Sequence, residues 1–381
     1  MDPIVIIGSG LAGYNTAREF RKLDKETPLV IITTHSGHFY SKPTLSNALA
    51  QGKTPETIPI STPEQMRTQI NAEVRARTHV TAIEPQHHRI RIGDEIVPYS
   101  KLVLAWGADP IRLTLAGDAV DAVLSVNNLD DYARFRAALE SATRVVILGA
   151  GLIGCEFAND LAVKGFNVDV IDLAAQPLPR LLPPAGGALL AAKLSALGIG
   201  WHFNTSVERV DHGDGGLRVL LSDGTAVETD VVLSAIGLRP HTALAQAAGI
   251  TVNRGIAVDR QLATSAPDVF ALGDCAEVNG LILPFVMPIA HAARALGATL
   301  AGTPTALRYP AMPVLVKTPA CPTIVAPPLD GTTGEWQITE TEGGVKALYV
   351  DGDDQLLGFA LTGSATAERA ALTKQLPPLL H

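Results

Sequence analysis

Ile4-Val5-Ile6-Ile7-Gly8-Ser9-Gly10-Leu11-Ala12-Gly13 and Val145-Val146-Ile147-Leu148-Gly149-Ala150-Gly151-Leu152-Ile153-Gly154 are two copies of one pattern. Each sets a short, β-branched apolar run, the mark of a buried parallel strand, directly before a glycine-rich turn and a helical pattern. The glycines have separate tasks. The first makes the tight turn, the second admits a pyrophosphate to the backbone, and the third lets helix and strand pack closely. The helix N-terminus then faces the phosphates with free N–H groups and a positive dipole end, so the motif needs no lysine. One such motif is a weak signal, but two in strand context point to two bound dinucleotides.

Working outward, the first unit continues through a helix from Leu11 to about Leu23 and a strand from Leu29 to Thr33. The second continues through a helix to about Lys164 and a strand from Val168 to Ile171. Between them Leu102 to Ala105 reads as another buried strand, ending at Trp106-Gly107-Ala108, where the chain can cross to a second domain. Val231 to Gly237 and Val269 to Asp274 repeat the strand-then-glycine logic, so the chain is expected to leave the first domain and return. Beyond about Pro313 proline clusters, an acidic loop and the alternating strand Lys346 to Val350 suggest a small α+β domain. The fold class is therefore α/β, with two Rossmann-like dinucleotide-binding domains and a small α+β C-terminal domain. The expected boundaries are 1–112 with 241–313, then 113–240, then 314–381.

Composition narrows the function. Apolar residues make up 47% of the 381 residues and charged residues 18%, as in soluble globular cores. The net charge of −8, from 30 basic against 38 acidic residues, argues against nucleic acid or an anionic membrane as partner. No secretory address or membrane span is visible, and a cytoplasmic location is expected. The three cysteines, Cys155, Cys275 and Cys321, form no CxxC or CxxxxC pair, which excludes a local redox disulfide and a cysteine metal knuckle. No metal site is expected. Cys155 on its helix reads as a small buried hydrophobe. His87-His88 reads as an exposed strand or turn, and His241 as structural.

Further motifs carry a family resemblance over essentially the whole chain. They are Tyr40-Ser41-Lys42-Pro43, Trp106-Gly107-Ala108, the run Gly149 to Asp160, Gly237-Leu238-Arg239-Pro240, Ala271 to Glu277, and Lys317-Thr318-Pro319-Ala320-Cys321-Pro322. Their order resembles the two-dinucleotide flavoproteins typified by glutathione reductase. Within that family the chain is most similar to the NAD(P)H-dependent reductases of rubredoxin and iron-sulfur partners.

The resemblance implies that the first motif, Gly8, Ser9, Gly10, Leu11, Ala12 and Gly13, binds the ADP half of FAD. It implies that the second, Gly149, Gly151, Leu152, Ile153 and Gly154, binds NADH together with Gly237. Asp274 is implied to accept from the ribitol or pyrophosphate region of FAD, and reads also as a helix N-cap. Lys42 and Lys317 are implied to lie near the isoalloxazine, where positive charge stabilises the anionic reduced ring. Glu156 is implied to sit between flavin and nicotinamide, and reads alternatively as an N-terminal helix acid. Val80, read as a strand residue, is implied to meet adenine, and Met287 completes the implied flavin contacts.

The spacing itself addresses cofactor choice. Asp172 ends its strand 18 residues past Gly154, where a carboxylate holds the adenosine ribose and repels a 2′-phosphate, which favours NADH. The first site departs from this pattern. Its second strand ends at Thr33-Thr34-His35, so no carboxylate stands at the usual place and the hydroxyl of Thr33 or Thr34 can substitute for the acid.

In the family, disulfide reductases keep a cysteine pair beside the flavin, and NADH peroxidases keep one cysteine near the position of Ser41 to Ser46. This chain has neither. The resemblance then implies hydride transfer from NADH to FAD and single-electron transfer to rubredoxin, feeding an alkane hydroxylase. A ferredoxin reductase and a redox-sensing NADH-binding flavoprotein are the alternatives. Rubredoxin is expected to dock transiently on apolar surface at the flavin edge, with Lys42, Lys317 or Arg294 supplying charge.

Overall fold

In the computed structural model, which describes residues 1–381, each glycine motif sits at the carboxyl end of the central strand of a five-stranded parallel sheet. The first sheet runs in the order Val269–Ala271, Lys101–Leu104, Ile4–Ile7, Leu29–Ile32, Glu73–Arg75. The second runs Gly200–Phe203, Asn167–Asp172, Arg144–Leu148, Val231–Ser234, Val123–Leu124. Ile4–Ile7 is buried at every position, as a strand covered on both faces must be. The expected α/β class holds, and the strand Val269–Ala271 carries the chain back into the first sheet.

The crossings between the two sheets lie side by side. Ala108–Pro110 and Leu238–Pro240 pair antiparallel, and His241 closes this junction by bonding Asp109 through Nδ1 at 2.6 Å. Trp106 Nε1 donates to the His241 carbonyl at 2.7 Å. The histidine is structural, as its sequence position suggested.

The first helix, Leu11–Arg21, ends two residues earlier than its pattern predicts. Asp24 explains the stop, because its carboxylate accepts from the backbone of Glu26 and Thr27 at 2.9 Å and organises a turn. Arg21 then bonds the carbonyls of Ile70, Thr27 and Asn71, drawing the chain away from the helix axis.

Residues beyond Pro313 form a five-stranded antiparallel sheet, ordered Val314–Val316, Thr323–Ala326, Leu356–Gly363, Gly344–Val350, Glu335–Thr341. A short helix, Arg369–Thr373, packs at its end. The alternation expected from Lys346 to Val350 is blurred because the sheet packs apolar side chains on both faces. Val325, Ala347 and Ala360 join the core of the second sheet, while Ile324, Phe359 and Leu361 form a separate cluster. No helix is long and apolar enough to cross a membrane.

Candidate cofactor and electron-transfer site

The glycines of the first motif are required for different reasons. Gly8 has φ +116°, and a Cβ there would lie 2.2 Å from the Ala105 carbonyl oxygen. At Gly13 a Cβ would lie 1.9 Å from the Gly8 oxygen, so only glycine lets the helix approach the turn. Gly10 is different. Its φ of −74° suits any residue, and a Cβ would meet nothing within 4 Å. Gly151 repeats this, with φ −73° and open space. Neither backbone nor neighbour demands glycine at these two positions, but a pyrophosphate pressed against the turn would. Both helices also begin with no side-chain cap, leaving their first N–H groups free for an anion. The residues present fit two dinucleotides.

Thr33 stands where the first site lacks its acid. It is buried, and its hydroxyl accepts from Ser9 Oγ at 3.1 Å and from the His35 amide at 3.3 Å. Asp172, in the second site, accepts from the Ala150 amide at 2.6 Å and from Ala174 at 2.7 Å. The acid thus pins the glycine turn while each oxygen keeps a lone pair for a ribose hydroxyl. Leu173 beside it is 75% exposed. Gly237, with φ +117°, ends the chain's run at this second site.

Lys42 and Asp274 feel each other's charge across the first site, yet neither makes a hydrogen bond or ion pair within the protein. Burial pushes the lysine down and the aspartate up from their ordinary values, and each partly offsets the other. Two deeply set polar groups with free bonding capacity suit the isoalloxazine end and ribitol of FAD. The N-cap reading of Asp274 is corrected, since the turn at Gly273 leads into the strand Ala276–Val278 and not into a helix. Val80 is buried but lies just ahead of the strand Ala82–Glu84, which corrects its reading as a strand residue. Met287 is half-exposed in the first turn of Val286–Leu300.

Glu156 is fully buried on Leu152–Val163, past the first turn, so the reading as a dipole-complementing terminal acid is corrected. It accepts from Ser46 Oγ at 2.5 Å and from the Lys317 amide at 2.8 Å, and it pairs with Lys317 Nζ. This brings Lys317 to Glu156 across 161 positions of sequence and pairs its ammonium with a buried carboxylate, while the lysine side chain stays 23% exposed.

Two residues of the same helix were missed as functional candidates. Asn159 Oδ1 accepts from the Ala320 amide at 3.2 Å, and Asp160 accepts from Leu49 at 3.0 Å and Ala50 at 2.9 Å. Their signal was the run of polar residues in an otherwise apolar helix, at Glu156, Asn159 and Asp160. Burial pushes Asp160 up to about 6.

All three cysteines are free and buried. Cys155 Sγ donates to the Ala150 carbonyl, and burial holds its thiol well above the usual range. Cys275 is pushed up to about 12 by burial as well. No thiolate is available for redox chemistry at neutral pH.

Residues 2–297 match the pyridine nucleotide-disulphide oxidoreductase family, and residues 306–376 match a rubredoxin binding C-terminal domain. The chain is 50% identical over 381 residues, covering all of both chains, to a rubredoxin-NAD(+) reductase of Alcanivorax borkumensis. It is 49% identical over 389 residues to one of Acinetobacter baylyi, covering 100% of this chain and 99% of the other. A ferredoxin reductase from Rhodopseudomonas palustris superposes with a TM-score of 0.88 at 26% identity, over 99% of this chain and 96% of that one. The chain belongs to the pyridine nucleotide-disulphide oxidoreductase family, in its rubredoxin reductase branch.

Proposed function

We propose that the protein carries electrons from NADH through FAD to rubredoxin, with NADH on the second glycine motif and FAD on the first. The observation that carries this is the joining, in one chain, of two dinucleotide motifs and a match to a rubredoxin-binding domain. When bound, FAD supplies the exchange between a two-electron hydride donor and a one-electron acceptor. The protein's own residues orient and polarise. Lys42 and Asp274 hold the flavin, Glu156 fixes the boundary between the two cofactors, and Asp172 selects NADH by its charge. The buried thiols of Cys155, Cys275 and Cys321 take no part, so electrons leave directly to the partner.

The domain division at 1–112 with 241–313, 113–240 and 314–381 belongs to this proposal, and the paired crossings Ala108–Pro110 and Leu238–Pro240, which lie beside its first two breaks, support it. A cytoplasmic site of action, serving an alkane hydroxylase, belongs to the same proposal. The test is rapid-mixing reduction with NADH or NADPH, then reoxidation by rubredoxin, ferredoxin or oxygen. Fast reduction by NADH and fast reoxidation by rubredoxin alone are expected. A clear NADPH preference would overturn the role of Asp172, and equal rates with all acceptors would leave only a general NADH dehydrogenase.

A further inference from the structure

The helix Leu152–Val163 bears Glu156, Asn159 and Asp160, all buried, at spacings that set them on one face. That face reaches two other parts of the molecule. Asn159 holds the loop that carries Lys317, through the Ala320 amide. Asp160 holds the turn that follows the 3₁₀ helix Lys42–Asn47, through the amides of Leu49 and Ala50. That short helix presents Lys42 at its start and Ser46, the partner of Glu156, near its end.

We propose that Asp160 is a positioning residue for flavin reduction, setting the Lys42–Asn47 segment at the height where Lys42 and Ser46 meet the flavin and Glu156. The inference rests on the reading of Lys42 as the flavin-side cation. The chemistry of the contact requires a carboxylate. Two adjacent N–H groups need two acceptor oxygens on one short side chain, and an amide would turn an NH2 toward one of them. A buried carboxylate is costly, and a turn needing only to be filled would be served by an apolar side chain.

Protonation of Asp160 would convert one of its oxygens to a hydroxyl and weaken one of the two contacts. The groups facing it are Arg136, from Leu129–Ala138, and Lys164 at its own helix end, with Tyr132 bonded to Arg136. Both cations favour the charged form, but burial outweighs them. Because the folded value lies above the ordinary one, this group stabilises the fold below the unfolded value, and that stability is lost as pH rises through about 6. Lowering the pH through about 6 therefore gains stability from Asp160 while loosening the segment it positions. Reduction rate and stability move in opposite directions, which a purely structural role would not produce.

The test uses the FAD-loaded full chain and rapid mixing with NADH from about pH 5 to about pH 8, a window spanning the carboxyl's titration. The wild type should lose rate on a single leg near pH 6. Asp160→Asn should reduce about 10- to 100-fold more slowly near neutrality, the cost of a displacement near 1 Å, and should lack that leg. Its FAD content and its reoxidation by rubredoxin should match wild type. Leu356→Ala, a cavity in the separate apolar cluster of the terminal sheet, should lower the melting temperature without changing the rate. Asp160→Asn behaving like Leu356→Ala, or a wild-type profile flat through pH 6, would overturn the proposal. Lys42→Met separates the two readings. If it leaves reduction unchanged, the flavin-side role of Lys42 fails. If it slows reduction and Asp160→Asn does not, the positioning role alone fails.

Discussion

Removing either partner of the Glu156–Lys317 pair should have unequal effects, and the inequality follows from burial. Glu156 is 0% exposed and Lys317 keeps 23% of its side-chain exposure. In Lys317→Met the buried carboxylate loses its countercharge and cannot reach water, a situation that costs about 3–5 kcal/mol. Two other donors remain, the Lys317 amide and Ser46 Oγ, so the lower end, about 3 kcal/mol, applies. In Glu156→Gln the side chain keeps its shape and one acceptor, and the freed ammonium can turn toward solvent, so about 1 kcal/mol is expected. The double variant carries neither charge and should cost less than the sum, giving a coupling of about 2 kcal/mol. Urea unfolding of the four FAD-loaded proteins measures this cycle, with thermal midpoints as a check. If the double variant equals the sum to within about 0.5 kcal/mol, or if Glu156→Gln costs more than Lys317→Met, the buried ion pair is not the tie described here.

Gly10→Ala should melt like the wild-type apoprotein yet bind FAD at least about tenfold more weakly, because its Cβ meets no protein atom and intrudes only where a pyrophosphate would lie. Gly13→Ala should fail to fold, since its Cβ would lie 1.9 Å from the Gly8 oxygen; flavin-to-protein absorbance and soluble yield separate the two outcomes. Asp230 accepts from Arg144 Nη2 at 2.6 Å and from the amides of Thr143 and Arg144, each at 2.8 Å, which holds its carboxyl well below the usual range. A depressed folded value means stability present above the unfolded value and lost as pH falls through the folded one. Asp230→Asn should therefore cost about 1–2 kcal/mol near neutrality, discounted for the 41% exposure of Arg144. That gap should close below about pH 4, and a gap constant with pH in urea midpoints would sink the assignment.

What could be read in the sequence is what local chemistry determines. Strand, glycine turn and helix start lie within ten residues of one another, so both motifs and their sheets were legible from Ile4 to Gly13 and from Val145 to Gly154. Asp172 was found by spacing, but its hold on the Ala150 amide was not, because that contact depends on how the strand end folds back over the turn. The early end of the first helix was available in Asp24, whose preference for turns was outweighed by the apolar rhythm around it. Asp274 was misread as a cap because a strand, and not a helix, follows its turn. The contacts from Glu156 to Lys317 and from Asp160 to Leu49 span 161 and 111 positions. No periodicity encodes such pairs, and only the oddity of three polar residues on a buried helix face marked them.

These long-range contacts change the part played by the second dinucleotide motif. Its helix begins at Gly151 with uncapped N–H groups and, within three turns, becomes the surface on which the other two parts of the molecule are fixed. Through Asp160 and Glu156 it grips the segment carrying Lys42 and Ser46; through Glu156 and Asn159 it grips the loop from Lys317 to Ala320. That loop lies within residues 306–376, the region that matches a rubredoxin-binding domain. The helix of the second glycine motif and the region that matches a rubredoxin-binding domain are therefore joined through one buried carboxylate, Glu156, which also bonds Ser46 of the Lys42–Asn47 segment. With every thiol buried and its titration pushed upward, no covalent relay separates the two half-reactions. The distance between donor and acceptor must then be set by packing alone, and the polar face of this helix is where that packing is fixed.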